Sequence, residues 1–184
     1  MLFIGNSLTY TNDLPATFKR IAAADGRRVI TEIIAEPNYS LEDHLNAGVA
    51  KKALQQQWDF VVLQQGPSSM DDSRQQLIHD VKAFAALTSS RIAVLMVWPP
   101  RERWGALVRV AESHRLAAEG VQGVLIPAGT AMDDALRRKV DVFQADGFHP
   151  SPAGTRVVAL AIYRALFGAP ASSPAERAPS RRRF

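Results

Sequence analysis

The chain has 184 residues, 47% of them apolar and 22% charged, which fits a soluble domain with a core of its own. It contains no cysteine, which excludes disulfides, thiolate zinc sites and a thiol nucleophile. The net charge of +4 owes much to residues 177–184, where four arginines stand without an acid, so it does not argue for a nucleic-acid partner.

Residues 2–5, Leu-Phe-Ile-Gly, read as a short buried strand. Asp13-Leu14-Pro15 opens a helix, with Asp13 as N-cap and Pro15 in the first turn. Phe18, Ile21 and Ala22 share one of its faces, and it stops at Asp25-Gly26. Residues 28–36, mostly β-branched, read as a second strand. After the Pro37-Asn38-Tyr39 loop, Ser40 caps a helix whose first turns carry Leu41, Glu42, His44 and Leu45. Residues 58–64 form a strand without alternation, as expected of a central parallel strand covered on both faces. A loop over 66–69 leads to an amphipathic helix over 71–87 with Leu77, Val81, Phe84 and Leu87. Residues 91–98 read as another apolar strand, stopped by Pro99-Pro100. A helix over 104–120, a fifth strand over 123–129 and a helix over 130–139 follow. A loop beginning at residue 141 then leads to a final helix over 153–167.

Strands alternating with helix-length connections predict a parallel sheet with helices on both faces, a three-layer α/β/α fold. No repeat or internal linker interrupts it. The domain spans 1–168, and 169–184, rich in Pro, Ser, Ala and Arg, is expected to be a disordered tail. In such sheets ligands sit beyond the carboxyl ends of the strands, which makes 5–12, 36–40, 64–70, 98–104 and 141–152 the loops to search.

Two of these loops carry chemistry. Ser7 lies two residues past the first strand. By itself it reads as a turn serine capping a backbone N–H. Asp146-Gly147-Phe148-His149-Pro150 follows the last strand, and Pro150 holds His149 in an extended backbone. Asp146, three residues before His149, can reach one imidazole nitrogen and leave the other free. Together the two loops offer a nucleophile, a base and an orienter. Serine is a weak nucleophile at neutral pH and needs a neutral imidazole to take its proton, and the carboxylate sets the tautomer. No glycine stands two residues after Ser7, unlike the Gly-x-Ser-x-Gly elbow of ordinary α/β-hydrolases.

At these residues the sequence resembles the SGNH hydrolases, also called GDSL esterases. Gly5-Asn6-Ser7-Leu8 is similar to their first block, Gly-Asp-Ser-Leu, with Asn6 in place of aspartate, and Asp146-Gly147-Phe148-His149-Pro150 to their last, Asp-x-x-His-Pro. The resemblance spans residues 2 to 167 and implies a five-stranded, flavodoxin-like α/β/α fold. It also implies Ser7 as nucleophile, His149 as base and Asp146 as orienter, with an ester as substrate. Its oxyanion hole would combine the Ser7 N–H with a second-block glycine N–H and a third-block asparagine.

The middle blocks depart from the pattern. The loop after the second strand has no glycine, which leaves Asn38, or a backbone N–H at Tyr39 or Ser40, as the donor. Aligned without gaps, the third block puts Ser68 where the family has asparagine, and Gln64 or Gln65 could supply an amide instead. Adjacent strand residues face opposite sides, so one of the two glutamines is expected to point inward. The Leu63-Gln64-Gln65 text is similar to that of a divergent SGNH branch. The acyl group is expected to be small, with an O-acetylated carbohydrate as the leading substrate class. Rival readings are a flavodoxin-type phosphate- or nucleotide-binding module and an SGNH fold that binds a ligand without catalysis.

The remaining candidates read as structural. His44 is expected to be exposed or structural, with a substrate-side role as the alternative, and His79 and His114 to lie at helix surfaces or in packing. Trp98 and Trp104 read as packing residues or as an aromatic wall for the ligand, and Arg101 and Arg103 as a contact for an anionic one. A single Asp-x-x-His lacks the ligands a metal site needs, and no cofactor is expected. No stretch approaches the roughly 18 apolar residues of a membrane span. The chain as given has no leader and reads as cytoplasmic; a trimmed start would make it periplasmic or secreted.

Overall fold

Five parallel strands, β1 (Leu2–Gly5), β2 (Glu32–Ala35), β3 (Phe60–Leu63), β4 (Arg91–Leu95) and β5 (Val124–Ile126), stand side by side in the order β2-β1-β3-β4-β5. The computed structural model describes residues 1–169, so the tail expected at the carboxyl end lies, from residue 170, outside the described residues. Every residue of β1 and β3 is buried, which is why neither shows a polar alternation and why both take central places. β2 is partly exposed and lies at an edge.

Side chains alternate between the faces of the sheet with the strand period of two. Phe3 and Val62 enter a core with Phe18 of α2 (Leu14–Ala24), Met132 of α7 (Ala128–Arg137), and Ile162 and Tyr163 of α8 (Pro152–Phe167). Leu2, Ile4, Val61 and Leu63 enter a second core on the other face. It contains Leu41 of α3 (Leu41–Ala47), Ala50 and Ala53 of α4 (Val49–Ala53), Val81 and Phe84 of α5 (Asp71–Ala85), and Ala117 of α6 (Leu107–Glu119). The result is three layers, α/β/α.

Some elements are shorter than the residue pattern suggests, for reasons of register. β1 pairs Leu2 with Glu32, and before that pair only the Met1 amino group reaches this segment, donating to the Ile30 carbonyl at 2.8 Å, so residues 28–31 lie outside the strand; Ile30 is exposed. At the other end, Met96 N–H still donates to the Ile126 carbonyl (2.9 Å), but the Met96 carbonyl is met by Gly129 N–H (3.0 Å), because the chain already turns into a helix after Pro127. Residues 128 and 129, expected in a strand, instead begin α7. The helix expected from 104 is a 3-10 turn over Arg101–Ala106 that runs into α6, and Leu87 lies beyond the end of α5 with 42% of its surface exposed. A four-residue helix, α1 (Ser7–Tyr10), occupies the expected loop after β1.

This strand order creates one special place. From β1 the chain turns to β2 on one side, while β3 leads to β4 on the other. Parallel sheets open a crevice where outgoing connections diverge, here beyond the ends of β1 and β3.

Candidate active site

Ser7 sits at that crevice because of what stands on either side of it. Gly5 is required by close approach: a Cβ there would meet Thr9 Oγ1 and Gln64 Oε1 inside any real contact distance. Asn6 caps α1, its Oδ1 accepting the Leu8 N–H at 3.2 Å, while its Nδ2 donates to the Tyr39 carbonyl at 3.0 Å. Thr9 N–H and Tyr10 N–H both donate to the Asn6 carbonyl. Ser7 is thus the first residue of α1, and its N–H has no partner among the described residues.

The loop carrying His149 is held at many points. Asp146 Oδ1 accepts the N–H groups of Phe148 (2.9 Å) and His149 (3.0 Å), and Gly147 takes the positive φ of 67° that this turn needs. Gln144 N–H donates to the His149 carbonyl (2.9 Å), and Phe143 and Pro150 form an antiparallel bridge. Trp98 Nε1 donates to the Phe148 carbonyl at 2.9 Å, and Arg101 N–H to the Gly147 carbonyl at 2.9 Å. Asn12, just after α1, donates through Nδ2 to the Pro150 carbonyl (2.8 Å) and Thr155 Oγ1 (2.9 Å). That side chain ties the serine loop to the histidine loop. Sequence reasoning missed it, and its positive φ of 53° leaves no mark in the residue pattern.

Within this frame Ser7 Oγ lies 2.9 Å from His149 Nε2, and His149 Nδ1 lies 2.6 Å from Asp146 Oδ2. The Phe148 N–H, first, and then the His149 ring hold the Asp146 carboxyl below its ordinary range. An ionised carboxylate only accepts, so Nδ1 carries the imidazole proton and Nε2 presents its lone pair to the Ser7 hydroxyl.

A cleft of about 470 Å³ opens over Ser7, lined among others by Asn38, Tyr39, Gln65, Ser68, Gln76 and Phe148. All of its lining residues are uncharged. The two glutamines part here. Gln64 is buried away from the cleft: its Oε1 accepts from Asn6 N–H (2.9 Å) and the Thr9 hydroxyl (2.7 Å), and its Nε2 donates to the Gln65 carbonyl (2.9 Å). It braces the serine loop and is not a donor to substrate. Gln65 lines the cleft.

Two other expected donors are already engaged. Ser40 N–H and Oγ–H both go to Asp43 Oδ2, in the capping box of α3, and Tyr39 N–H donates to the Glu36 carbonyl. The Ser68 hydroxyl donates to the Gly66 carbonyl at 3.1 Å, so it faces the cleft as an acceptor. Asn38 is exposed on a left-handed backbone (φ 61°), with no side-chain hydrogen bond among the described residues to orient it.

His44 is buried beneath the loop, its Nε2 2.7 Å from the Gly5 carbonyl and its ring edge-on to Tyr39; this is a structural place. His79 is exposed and His114 fully buried. Trp98 and Trp104 both pack against Phe143, and Trp104 Nε1 donates to Asp133 (2.8 Å). Among the described residues no three His, Asp or Glu side chains cluster as metal ligands would, and no helix is long and apolar enough to cross a membrane.

No protein-family profile matches the chain, and neither does any curated protein. Solved structures do. A candidate SGNH hydrolase from Slackia heliotrinireducens aligns at 26% identity with a TM-score of 0.72, over 89% of this chain and 96% of that one. A lipase/acylhydrolase from Enterococcus faecalis aligns at 18% identity and TM-score 0.74, over 89% and 93%. A catalytic mutant of Axe2, an acetylxylan esterase from Geobacillus stearothermophilus, aligns at 16% and 0.70, over 89% and 91%. The two below a quarter identity share the fold. The first supports the SGNH-type hydrolase superfamily for this chain, and a hydrolase at that level.

Proposed function

We propose that the protein is a serine esterase of the SGNH type, in a branch marked by its Gly-Asn-Ser-Leu and Asp-Gly-Phe-His-Pro blocks, which hydrolyses a small acyl ester. The observation that carries the reading is the unbroken relay from Ser7 Oγ through His149 to Asp146, at 2.9 and 2.6 Å. Ser7 Oγ attacks the acyl carbon while His149 Nε2 takes its proton. His149 then gives that proton to the departing alcohol oxygen, leaving the acyl group on Ser7. Water attacks the acyl-enzyme with His149 again as base, and the acid leaves as Ser7 regains its proton. Asp146 holds the Nδ1–H throughout and stabilises the imidazolium between steps.

An O-acetylated carbohydrate suits the cleft. It is open and uncharged, and Asn38 and Gln76 offer polar groups to hydroxyls. The fold shared with an acetylxylan esterase agrees with this. The phosphate-binding alternative lacks support, because the Leu8, Thr9 and Tyr10 N–H groups are all engaged by Asn6.

Hydrolysis of p-nitrophenyl acetate by the wild-type protein and by Ser7→Ala tests the proposal. The expected result is turnover by wild type and loss of at least about 1,000-fold in the variant. Equal rates would remove Ser7 as nucleophile.

A further inference from the structure

Catalysis at Ser7 needs hydrogen-bond donors fixed in advance at the point where the carbonyl oxygen gains charge. The Ser7 N–H is one free donor. The second loop supplies none at Tyr39, Ser40 or Leu41, whose N–H groups go to Glu36, Asp43 and Gln65. We propose, on the strength of the esterase reading above, that the side-chain amide of Gln65 is the second oxyanion donor.

Three observations carry this. Position comes from the sheet: β1 pairs Ile4 with Leu63, and Gln64 N–H donates to the Ile4 carbonyl (2.9 Å), so the residues after β3 run beside those that lead to Ser7. Gln65 and Ser7 line the same cleft at the crevice between the two strands. Orientation comes from two fixed partners. Gln65 Oε1 accepts the Leu41 N–H at 3.1 Å, which leaves Nε2 to face Ser68 Oγ at 3.2 Å. The Ser68 proton is committed to the Gly66 carbonyl, so Ser68 can only accept from Gln65, and the amide has one way round. Capacity remains: Nε2 carries two hydrogens and Ser68 takes one. Gln65 is otherwise buried, so the second hydrogen has the cleft as its outlet.

The experiment compares wild type, Gln65→Glu, Ser68→Ala and Ser7→Ala in p-nitrophenyl acetate hydrolysis. It adds inhibition by a trifluoromethyl ketone, whose adduct with serine carries an oxyanion. Gln65→Glu keeps an oxygen for the Leu41 N–H and removes the donor. The expected result is a kcat lower by about 100- to 1,000-fold, a KM within about threefold, and ketone binding weakened about as much as kcat. Ser68→Ala keeps the donor but loosens its aim, for a loss of about tenfold in kcat. A folded Gln65→Glu with wild-type kcat and ketone affinity overturns the assignment. So does a change in KM alone. Should Gln65→Glu fail to fold by thermal melting, Ser68→Ala decides, and a wild-type kcat there overturns it. Ser7→Ala keeps the two readings apart: equal rates for it and wild type sink the esterase itself, whereas a dead Ser7→Ala beside an unimpaired Gln65→Glu sinks only the role of Gln65.

Discussion

Gln64 Oε1 accepts two hydrogen bonds from the serine loop, one from the Asn6 N–H at 2.9 Å and one from the Thr9 hydroxyl at 2.7 Å. A side chain at the end of β3 thus holds both ends of the turn that carries Ser7. Substituting Gln64→Leu would leave two buried donors without partners, at about 1–3 kcal/mol each. Urea unfolding is expected to show a loss of about 2–6 kcal/mol, with esterase activity falling as the loop loosens. Unchanged stability would mean that the loop keeps its shape without this brace.

Asp146→Asn is expected to abolish activity without unfolding the loop. The Asn oxygen can still accept the Phe148 and His149 N–H groups that Asp146 Oδ1 now accepts. Its amide nitrogen would then face His149 Nδ1, which must become an acceptor and move its proton to Nε2, opposite Ser7. A fall of about 10⁴-fold in kcat with little change in melting temperature is expected. In wild type the carboxylate is held below its ordinary pKa range, first by the Phe148 N–H and then by His149.

Asn6 stands where the resembled family has aspartate, and the structure supplies a reason to keep an amide. Its Nδ2 donates to the Tyr39 carbonyl at 3.0 Å, while its Oδ1 caps α1. Asn6→Asp would keep the cap but set a carboxylate against that carbonyl. The expected cost is about 1–3 kcal/mol. For a chain of this size that is a melting temperature lower by about 2–4 °C for each kcal/mol.

His114 makes stability depend on pH far from the site. Its Nδ1 donates to the Val110 carbonyl at 2.8 Å, its Nε2 has no partner among the described residues, and burial lowers its pKa to about 4. The unfolded chain binds this proton first, near 6.5, so the native state is at full advantage above that pH. It loses the advantage as pH falls from 6.5 toward 4, by up to about 3 kcal/mol. Urea unfolding at pH 7 and pH 4.5 is expected to show a steeper loss for wild type than for His114→Leu.

Much of this fold was legible because its causes are local. Four unbroken apolar residues in β1 and in β3 announce central parallel strands, and Asp13 with Pro15, or Ser151 with Pro152, announces a helix start. Asp146 and His149 lie three residues apart in one turn, so their contact belongs to that turn. The trimmed start of β2 was not legible, because it depends on where β1 begins beside it. The parting of Gln64 from Gln65 was foreseeable as an alternation, but which one faces the cleft depends on Thr9, Leu41 and Ser68. Asn12 reaches Pro150 across 138 residues, and only the folded chain brings them together.

The central claim is that Ser7 is a nucleophile activated by His149, and labelling with a fluorophosphonate followed by peptide mapping tests it most directly. The expected result is one adduct per chain, on Ser7, formed by wild type and lost in both Ser7→Ala and His149→Ala. An adduct on another residue, or no adduct on a folded wild-type chain, would contradict it.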